Sequence, residues 1–190
     1  AINLAESTQT VITGTCQAGS TVTLNIGGQT RMAVVTGSTW SYAVTATDIS
    51  NMGAGAETIT AQATLANGTA LSSAPRDITV DTTAPAAPSA APTVTDNVGA
   101  VTGSVASGAT TDDTTPTFSG TGTPGDTVTL YDNGKPIGTA PVQPDGSWSF
   151  TPTPALNDGT YSITAAFTDP SGNMGPASAP SVFTINSVAP

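Results

Sequence analysis

The chain repeats itself, and this repetition limits its architecture more than any other feature of its 190 residues. At an offset of 104 to 108 residues, the segments 12–24, 38–45, 57–64 and 73–85 match 118–130, 146–153, 161–168 and 178–190. Four matched blocks in the same order predict two homologous units, each with its own core. We expect domains at residues 1–84 and 85–190, separated within the linker "DTTAPAAPSAAP" (81–92), where proline stiffens the chain.

Within each unit, apolar side chains recur at every second position, which is the period of a β-strand. Val22, Leu24 and Ile26 form one such run, and Asn133-Gly134 follows another as a turn suited to a two-residue hairpin. Short strands separated by frequent turns predict an all-β chain of two tandem immunoglobulin-like β-sandwich domains joined by a short Pro/Ala linker. We expect each core to form around a tryptophan, Trp40 in the first unit and Trp148 in the second.

Two segments depart from this alternation. Residues 46–53 fit one short helical turn with Asp48 as its N-cap. Most of the stretch 93–121 has no strand pattern, and we expect a long loop over residues 97–115.

The charge balance excludes several classes of function. Three Lys and Arg residues against 13 acids give a net charge of −10, which is incompatible with binding nucleic-acid phosphates. No apolar stretch approaches the ~20 residues of a transmembrane helix, so membrane insertion is not expected. Histidine is absent and Cys16 is the single cysteine, which argues against zinc, thiol redox and most acid–base catalysis. The adjacent Asp112 and Asp113 point to opposite faces of an extended chain and do not resemble a pair of glycosidase carboxylates. We therefore expect no enzymatic activity.

Ordered motifs resemble a known family. The second unit carries "TDNVG", "DDTTPTFSGTGTPGDTVTLYDNG", "DGSWSFTP" and "LNDGTYSITAAFTDPSGN", and the first carries "INLAES", "VITGT", "AGSTVTL", "TWSY" and "DTTAP". In this order they resemble the bacterial Ig-like repeats of giant RTX-type adhesins, which are exported by type I secretion and act in biofilms and host attachment.

The resemblance implies structural extender repeats outside the cell, on the bacterial surface. It implies neighbouring repeats of the same chain as partners, with host or bacterial ligands reached through distant domains. The chain begins in the middle of a pattern and is expected to be a fragment of a longer protein. An alternative is a glycan- or receptor-binding module, for which Tyr131 is the main outward-facing aromatic residue.

The resemblance also implies calcium at or near domain junctions, and the residue types agree with it. Calcium takes six to eight oxygen ligands, and loops rich in Asp, Asn and Gly supply them. The alternative is that these acids cap Asx turns or are solvated loop charges. The candidate ligands are Asp81, Asp96, Asn97, Asp112, Asp113 and Asp169, with Asn3 and Glu6 as weaker candidates at the amino end.

The number of calcium sites stays open at this point. Alternating strand directions place Asp81, Asp126 and Asp169 at one end of the second unit, and Asp96 with Asp112 and Asp113 at the other. The first unit has "ATLANGT" (63–69) where the second has "FTDPSGN" (167–173), so it lacks a counterpart of Asp169.

Overall fold

A computed structural model describes residues 1–3, 10–100 and 102–188, so the candidate ligand Glu6 lies outside the described residues. The chain forms two compact units. One comprises Ala1–Thr83 with Ser171–Asn173, and the other comprises Ala84–Pro170 with Met174–Pro190. Apart from one short helix, the regular structure of the described part is β-strand.

The first unit is a sandwich of two antiparallel sheets. One sheet has the order β1-β5-β4, and the other has the order β3-β2-β6-β7, with β8 also paired to β6. Leu24, Ile26 and Ile49 are fully buried in its core, and Trp40 packs against them half-buried. Its elements are β1 (Val11–Thr15), β2 (Thr21–Ile26), β3 (Gln29–Met32), β4 (Val34–Thr36), β5 (Thr39–Ala43), α1 (Ala46–Met52), β6 (Gly55–Thr64), β7 (Ala70–Ser72) and β8 (Arg76–Val80).

The second unit repeats this plan. One sheet has the order β10-β9-β12-β15 and the other β11-β17-β16-β13-β14, in which only the short β11–β17 pairing is parallel. Phe118, Leu130, Trp148 and Phe183 fill the core. Its strands are β9 (Thr93–Asp96), β10 (Gly103–Val105), β11 (Thr110–Thr111), β12 (Thr117–Thr121), β13 (Thr127–Asp132), β14 (Lys135–Pro141), β15 (Ser147–Phe150), β16 (Gly159–Thr168) and β17 (Ser181–Ile185).

The predicted all-β sandwich fold is confirmed, and several of the expected local features are present. Asn133 and Gly134 have φ of 47° and 80°, as the turn between β13 and β14 requires. The strand β14 lies at the outer edge of its sheet and contains two prolines, Pro136 and Pro141. Cys16 is half-buried, as expected for a small residue at a strand end.

Two local predictions were wrong. Residues 97–115 are not one long loop, because they contain β10 and β11. These strands have only three and two residues, too few for a period-two pattern to show. The N-cap of α1 is Thr45, whose side chain accepts from the Asp48 backbone N–H, while the Asp48 side chain bonds back to the Thr45 N–H. The segment is therefore a capping box in which Asp48 occupies the third helical position.

A tryptophan lies over a glycine of the neighbouring strand in both units. Gly14 pairs with Trp40 across β1 and β5, and Gly120 pairs with Trp148 across β12 and β15. A Cβ atom added to Gly120 would lie 2.6 Å from Trp148 Cζ2, closer than any normal contact. The glycine therefore leaves the space that the indole ring occupies.

Replacing Gly120 with alanine is expected to lower the free energy of unfolding of the second unit by about 2 kcal/mol, because overpacking forces the buried indole from its position. Urea denaturation followed by Trp148 fluorescence would measure the change. Thr121→Ala, an exposed position on the same strand, is the control and should have little effect. An unchanged midpoint for Gly120→Ala would contradict this packing role.

Candidate functional site

Three of the predicted ligands, Asp96, Asn97 and Asp113, meet where β9 ends and the chain approaches β12. Asp113 is fully buried, and its carboxylate accepts three hydrogen bonds. Its Oδ2 accepts from the Asn97 N–H at 2.9 Å, and its Oδ1 accepts from the N–H and hydroxyl of Thr115 at 2.8 and 3.2 Å. Both oxygens thus hold backbone groups of the surrounding loops.

Asp96 continues this network. Its Oδ2 accepts from the Thr111 hydroxyl at 2.5 Å, and its Oδ1 accepts from the Val98 N–H at 2.9 Å. The Thr111 oxygen in turn accepts from the Asp113 N–H at 3.1 Å. We name Asp96, Asn97, Thr111 and Asp113 the loop-capping network. Its carboxylates perform the Asx-type capping that the sequence offered as the alternative to calcium.

Asp112 lies beside this network but differs from its neighbour in exposure. Asp112 is exposed, whereas Asp113 is buried, as expected for adjacent residues whose side chains point in opposite directions. A Cβ atom at Gly99 would lie 2.5 Å from Asp112 Oδ2, so the glycine lets the two loops approach each other. Asp112 therefore belongs to the outer surface of these loops.

Replacing Asp113 with alanine is expected to destabilise the second unit by about 2 kcal/mol, because it leaves the partly buried Asn97 and Thr115 N–H groups without their acceptor. Chemical denaturation in a calcium-free buffer would measure this. Asp112→Ala is the matched control at the adjacent exposed position and is expected to cost less than about 0.5 kcal/mol. Equal effects of the two substitutions would show that the loop-capping network does not stabilise the fold.

In the first unit, the candidate Asp81 lies among polar groups that the sequence did not single out. Asp81 Oδ2 accepts from the Ser171 hydroxyl at 3.0 Å, and its backbone carbonyl accepts from Asn173 Nδ2 at 3.0 Å. Asp81 Oδ1 accepts from the Thr83 N–H at 3.1 Å, which forms an Asx turn. The candidate Asn3 is buried and donates to the Ser171 carbonyl. Ser171 and Asn173 belong to "DPSGN", and the polar side chains of this motif were the sequence signal that could have identified them as partners of Asp81.

Asp169, the remaining candidate, lies close enough to Asp126 in the second unit for their charges to interact. Asp126 is only 5% exposed. Burial, and then the negative charge of Asp169, raise the pKa of Asp126 above its ordinary value. The sequence placed Asp126 at the same end as Asp169, but it did not show that Asp126 is buried. The two residues form an acidic pair in which one member is shielded from water.

A further buried acid, Asp48, was not expected to have long-range partners. Its Oδ1 accepts from Arg31 Nε at 2.6 Å, and its Oδ2 accepts from the Tyr42 hydroxyl at 2.7 Å. Oδ2 also accepts from the N–H and hydroxyl of Thr45 at 2.9 and 2.7 Å. Burial alone would raise the pKa of Asp48, but the hydrogen bonds from Tyr42, Arg31 and Thr45 outweigh it and lower the pKa to about 2. Asp48 is thus a structural anion that joins α1 to β3 and β5.

Tyr131, the aromatic residue considered for ligand binding, is half-buried on β13. Its hydroxyl donates to Met174 Sδ at 3.5 Å. Among residues 1–3, 10–100 and 102–188, no three acidic or cysteine side chains group closely enough to form a metal-binding cluster. No helix in the described part of the chain is long and apolar enough to cross a bilayer.

Several solved structures are similar to this chain. The match to the fibronectin(III)-like modules of CbhA from Clostridium thermocellum covers 97% of this chain and 86% of that structure, at 17% identity and a TM-score of 0.45. The match to a structure from a 1.5-MDa bacterial ice-binding adhesin covers 97% of this chain and 61% of that structure, at 23% identity and a TM-score of 0.45. The match to the BSP domain of a biofilm associated protein covers 97% of this chain and 28% of that structure, at 18% identity and a TM-score of 0.33. No curated protein matches the sequence.

The fold, with two sheets packed face to face and buried acids that fix its loops, defines an immunoglobulin-like module. The family model for the bacterial Ig-like domain matches residues 88–187. This is more than half of the chain, which therefore belongs to the bacterial Ig-like domain family.

Proposed function

We propose that this chain is a pair of structural extender modules of a large adhesin on the bacterial cell surface, outside the cell, and that it has no catalytic role. The observation that supports this best is the second unit's loop-capping network, in which Asp96 and Asp113 hold the loops of their own sandwich. Buried polar groups with internal partners make a module rigid, and they are not presented to a ligand or substrate. A rigid module repeated in tandem suits a spacer.

The surface composition supports the same proposal. Charged residues make up 8% of the chain and the net charge is −10, so few side chains could form a basic docking patch. The single Lys and two Arg residues include Arg31, which bonds to Asp48 within its own unit. A net negative charge keeps neighbouring modules apart and soluble.

A replacement experiment in the parent adhesin separates a spacer from a binding module. Both units are exchanged for an unrelated pair of Ig-like sandwiches of equal length, and cell attachment is measured at matched surface display. A spacer predicts unchanged attachment, and deletion of both units without replacement should reduce attachment by shortening the protein. Loss of attachment in the exchanged protein at normal display would contradict the spacer role.

We further propose that calcium stiffens the modules, with Asp126 and Asp169 of the second unit as the first residues to test. Two carboxylates that repel each other, one of them buried, are stabilised by a divalent cation that both can ligate. Asp96 and Asp113 also stay candidates, with oxygens that accept hydrogen bonds from the loops of the second unit. Asp81, Asn97, Asp112, Asn3 and Glu6 stay candidates as further ligands.

The calcium proposal predicts that millimolar CaCl₂ raises the melting temperature of the second unit relative to EDTA, by about 10 °C for binding at 100 times Kd. Asp169→Asn should abolish this increase. Asp145→Asn is the control, because Asp145 is an exposed turn residue that accepts from Ser147. Identical melting curves in calcium and EDTA for the unsubstituted chain would rule out calcium while leaving the spacer role intact.

A further inference from the structure

Asparagine followed by glycine occurs in both units, as Asn67-Gly68 in the first and Asn133-Gly134 in the second. In such a pair the glycine nitrogen, which has no Cβ beside it, can attack the side-chain carbonyl carbon of the asparagine. Both asparagines are exposed, so access of water does not distinguish them. The backbone around each of them does.

The conformation of Asn133 keeps its side chain away from the next nitrogen. Its φ is 47°, and it is the one non-glycine residue with a positive φ among the residues that the structure describes. In this left-handed conformation ψ is about +47° as well. The following nitrogen then lies on the far side of the Cα–C bond from Cβ. The Gly134 nitrogen therefore cannot reach Asn133 Cγ unless the turn unfolds.

The turn at Asn133 is also anchored on two sides, because β13 pairs with both β14 and β16. The Asn133 N–H donates to the Ser162 carbonyl of β16 at 3.2 Å. The Ser162 N–H donates in turn to Asp132 Oδ1 at 3.0 Å. Opening this turn therefore breaks contacts with β16 as well as those within the hairpin.

The turn at Asn67, between β6 and β7, opens more easily. The three residues of β7 are all exposed, and within the described ranges this strand pairs with β6 alone. Asn67 does not have the positive φ of Asn133. The Gly68 N–H donates to the Leu65 carbonyl at 2.9 Å, in a turn whose residues 66–69 are exposed. A short exposed hairpin opens at low free-energy cost, which frees the Gly68 nitrogen.

Hydrogen bonding activates the Asn67 side chain and deactivates that of Asn133. The Thr69 N–H donates to Asn67 Oδ1 at 3.0 Å, in an Asx turn that can persist when the Gly68 N–H leaves Leu65. This bond draws electrons from Cγ and stabilises the negative charge on Oδ1 when a nucleophile adds. At Asn133, Nδ2 instead donates to the Asp132 carboxylate at 3.0 Å, which makes the carbonyl carbon less electrophilic.

We propose that Asn67-Gly68 is a site of spontaneous deamidation and that the fold protects Asn133-Gly134 from the same reaction. The Gly68 nitrogen loses its proton to solvent and forms a bond to Asn67 Cγ. The Cγ–Nδ2 bond breaks, and Nδ2 takes up a proton and leaves as ammonia. Water then opens the resulting cyclic imide at one of its two carbonyls. The product is aspartate, or isoaspartate in which the main chain runs through Cβ and Cγ.

The reaction changes the charge of a particular loop. Residues 63–69 are the counterpart of 167–173, which contain Asp169, and the sequence gives the first unit no acid there. Deamidation of Asn67 supplies one. The aspartate product keeps an acceptor for the Thr69 N–H, whereas isoaspartate lengthens the main chain within the turn that sets the pairing of β7.

Incubating the full chain in neutral buffer at constant temperature, folded and in concentrated urea, tests this proposal. Peptide mapping by mass spectrometry follows each asparagine separately, through the mass gained when NH₂ is replaced by OH. In the folded chain, Asn67 is expected to react at least about tenfold faster than Asn133, because only its turn opens readily. In urea the two rates should agree within about twofold, because both residues precede glycine and neither is held by structure.

Asn67→Gln and Asn133→Gln are the matched control variants, since the longer side chain disfavours ring closure. Each should remove the product at its own position and leave the rate at the other asparagine unchanged. Equal rates at the two positions in the folded chain would overturn the proposal. So would an unreacted Asn67 in the folded chain after both asparagines have reacted in urea.

Discussion

Replacing Asp48 with alanine is expected to lower the free energy of unfolding of the first unit by about 4 kcal/mol. Removing one partner of a fully buried ion pair costs about 3 to 5 kcal/mol, but the Arg31 side chain is 27% exposed and stays hydrated without Asp48, so the ion pair alone contributes less than this. Asp48 accepts hydrogen bonds from Arg31, Tyr42 and Thr45, so the substitution also removes the capping box of α1. Together, the lost hydrogen bonds, cap and ion pair place the expected change near the middle of that range.

Urea denaturation with Trp40 as the reporter, in a Trp148→Phe background, measures this change in the first unit alone. Asp77→Ala is the matched control, since Asp77 lies in the same unit and its hydrogen bond with the Thr58 hydroxyl is exposed. Its expected effect is below about 0.5 kcal/mol. If both variants lost the same stability, the Asp48 network would have no special role.

The same network sets a pH dependence with a definite sign. The pKa of Asp48 is lowered from 3.8 to about 2 in the folded chain. Its contribution is fully present above pH 3.8 and is lost as the pH falls toward 2, and it amounts to about 2.5 kcal/mol. The pH dependence from Asp126 has the opposite sign, because its pKa is raised in the folded chain and the neutral form is favoured there. Its contribution to the stability of the second unit is present at low pH and is lost as the pH rises above the pKa of an unfolded aspartate. Unfolding curves between pH 2 and 6, compared with those of Asp48→Asn and Asp126→Asn, would separate the two effects.

Replacing Phe118 with alanine is expected to destabilise the second unit by about 4 kcal/mol, because it removes a fully buried ring and leaves a cavity. The Phe118 ring centroid lies 5.9 Å from that of Phe183 and 6.5 Å from that of Phe150, so aromatic contacts are lost as well. Denaturation followed by Trp148 fluorescence in a Trp40→Phe background gives the change.

Two comparisons sharpen the Phe118 experiment. Thr117→Ala, a half-buried neighbour on β12, should cost less than about 1 kcal/mol. Ile12→Ala at the equivalent position of the first unit should cost less than Phe118→Ala, because Ile12 is a smaller side chain that is only half-buried, so its loss leaves a smaller enclosed cavity. A larger loss at Ile12 than at Phe118 would contradict this difference in burial.

The strands and their turns could be predicted from the sequence because both depend on local patterns. Alternation marked β2 and β13, and the pair Asn133-Gly134 marked a hairpin by its need for positive φ. The Asp48 network could not be predicted in the same way. Its partners Arg31 and Tyr42 lie on different strands, 17 and 6 residues away, and only the tertiary fold brings them together.

In the candidate site as well, the sequence identified residues locally but not the contacts that the tertiary fold creates. The sequence identified Asp96 and Asp113 as unusual acids in a glycine-rich stretch, and the structure places both in one network. It could not show that Thr111 and backbone N–H groups satisfy their oxygens, because this depends on how β9, β11 and β12 lie against one another. The role of these residues as calcium ligands stays a prediction.

The prolines of β14 have a consequence for molecules at high concentration. An intruding strand needs a continuous row of amide donors to extend a sheet, and two of the seven residues at this border, Pro136 and Pro141, have none. The five-stranded sheet consequently resists growth into a fibril from that side, even where many identical modules are crowded together.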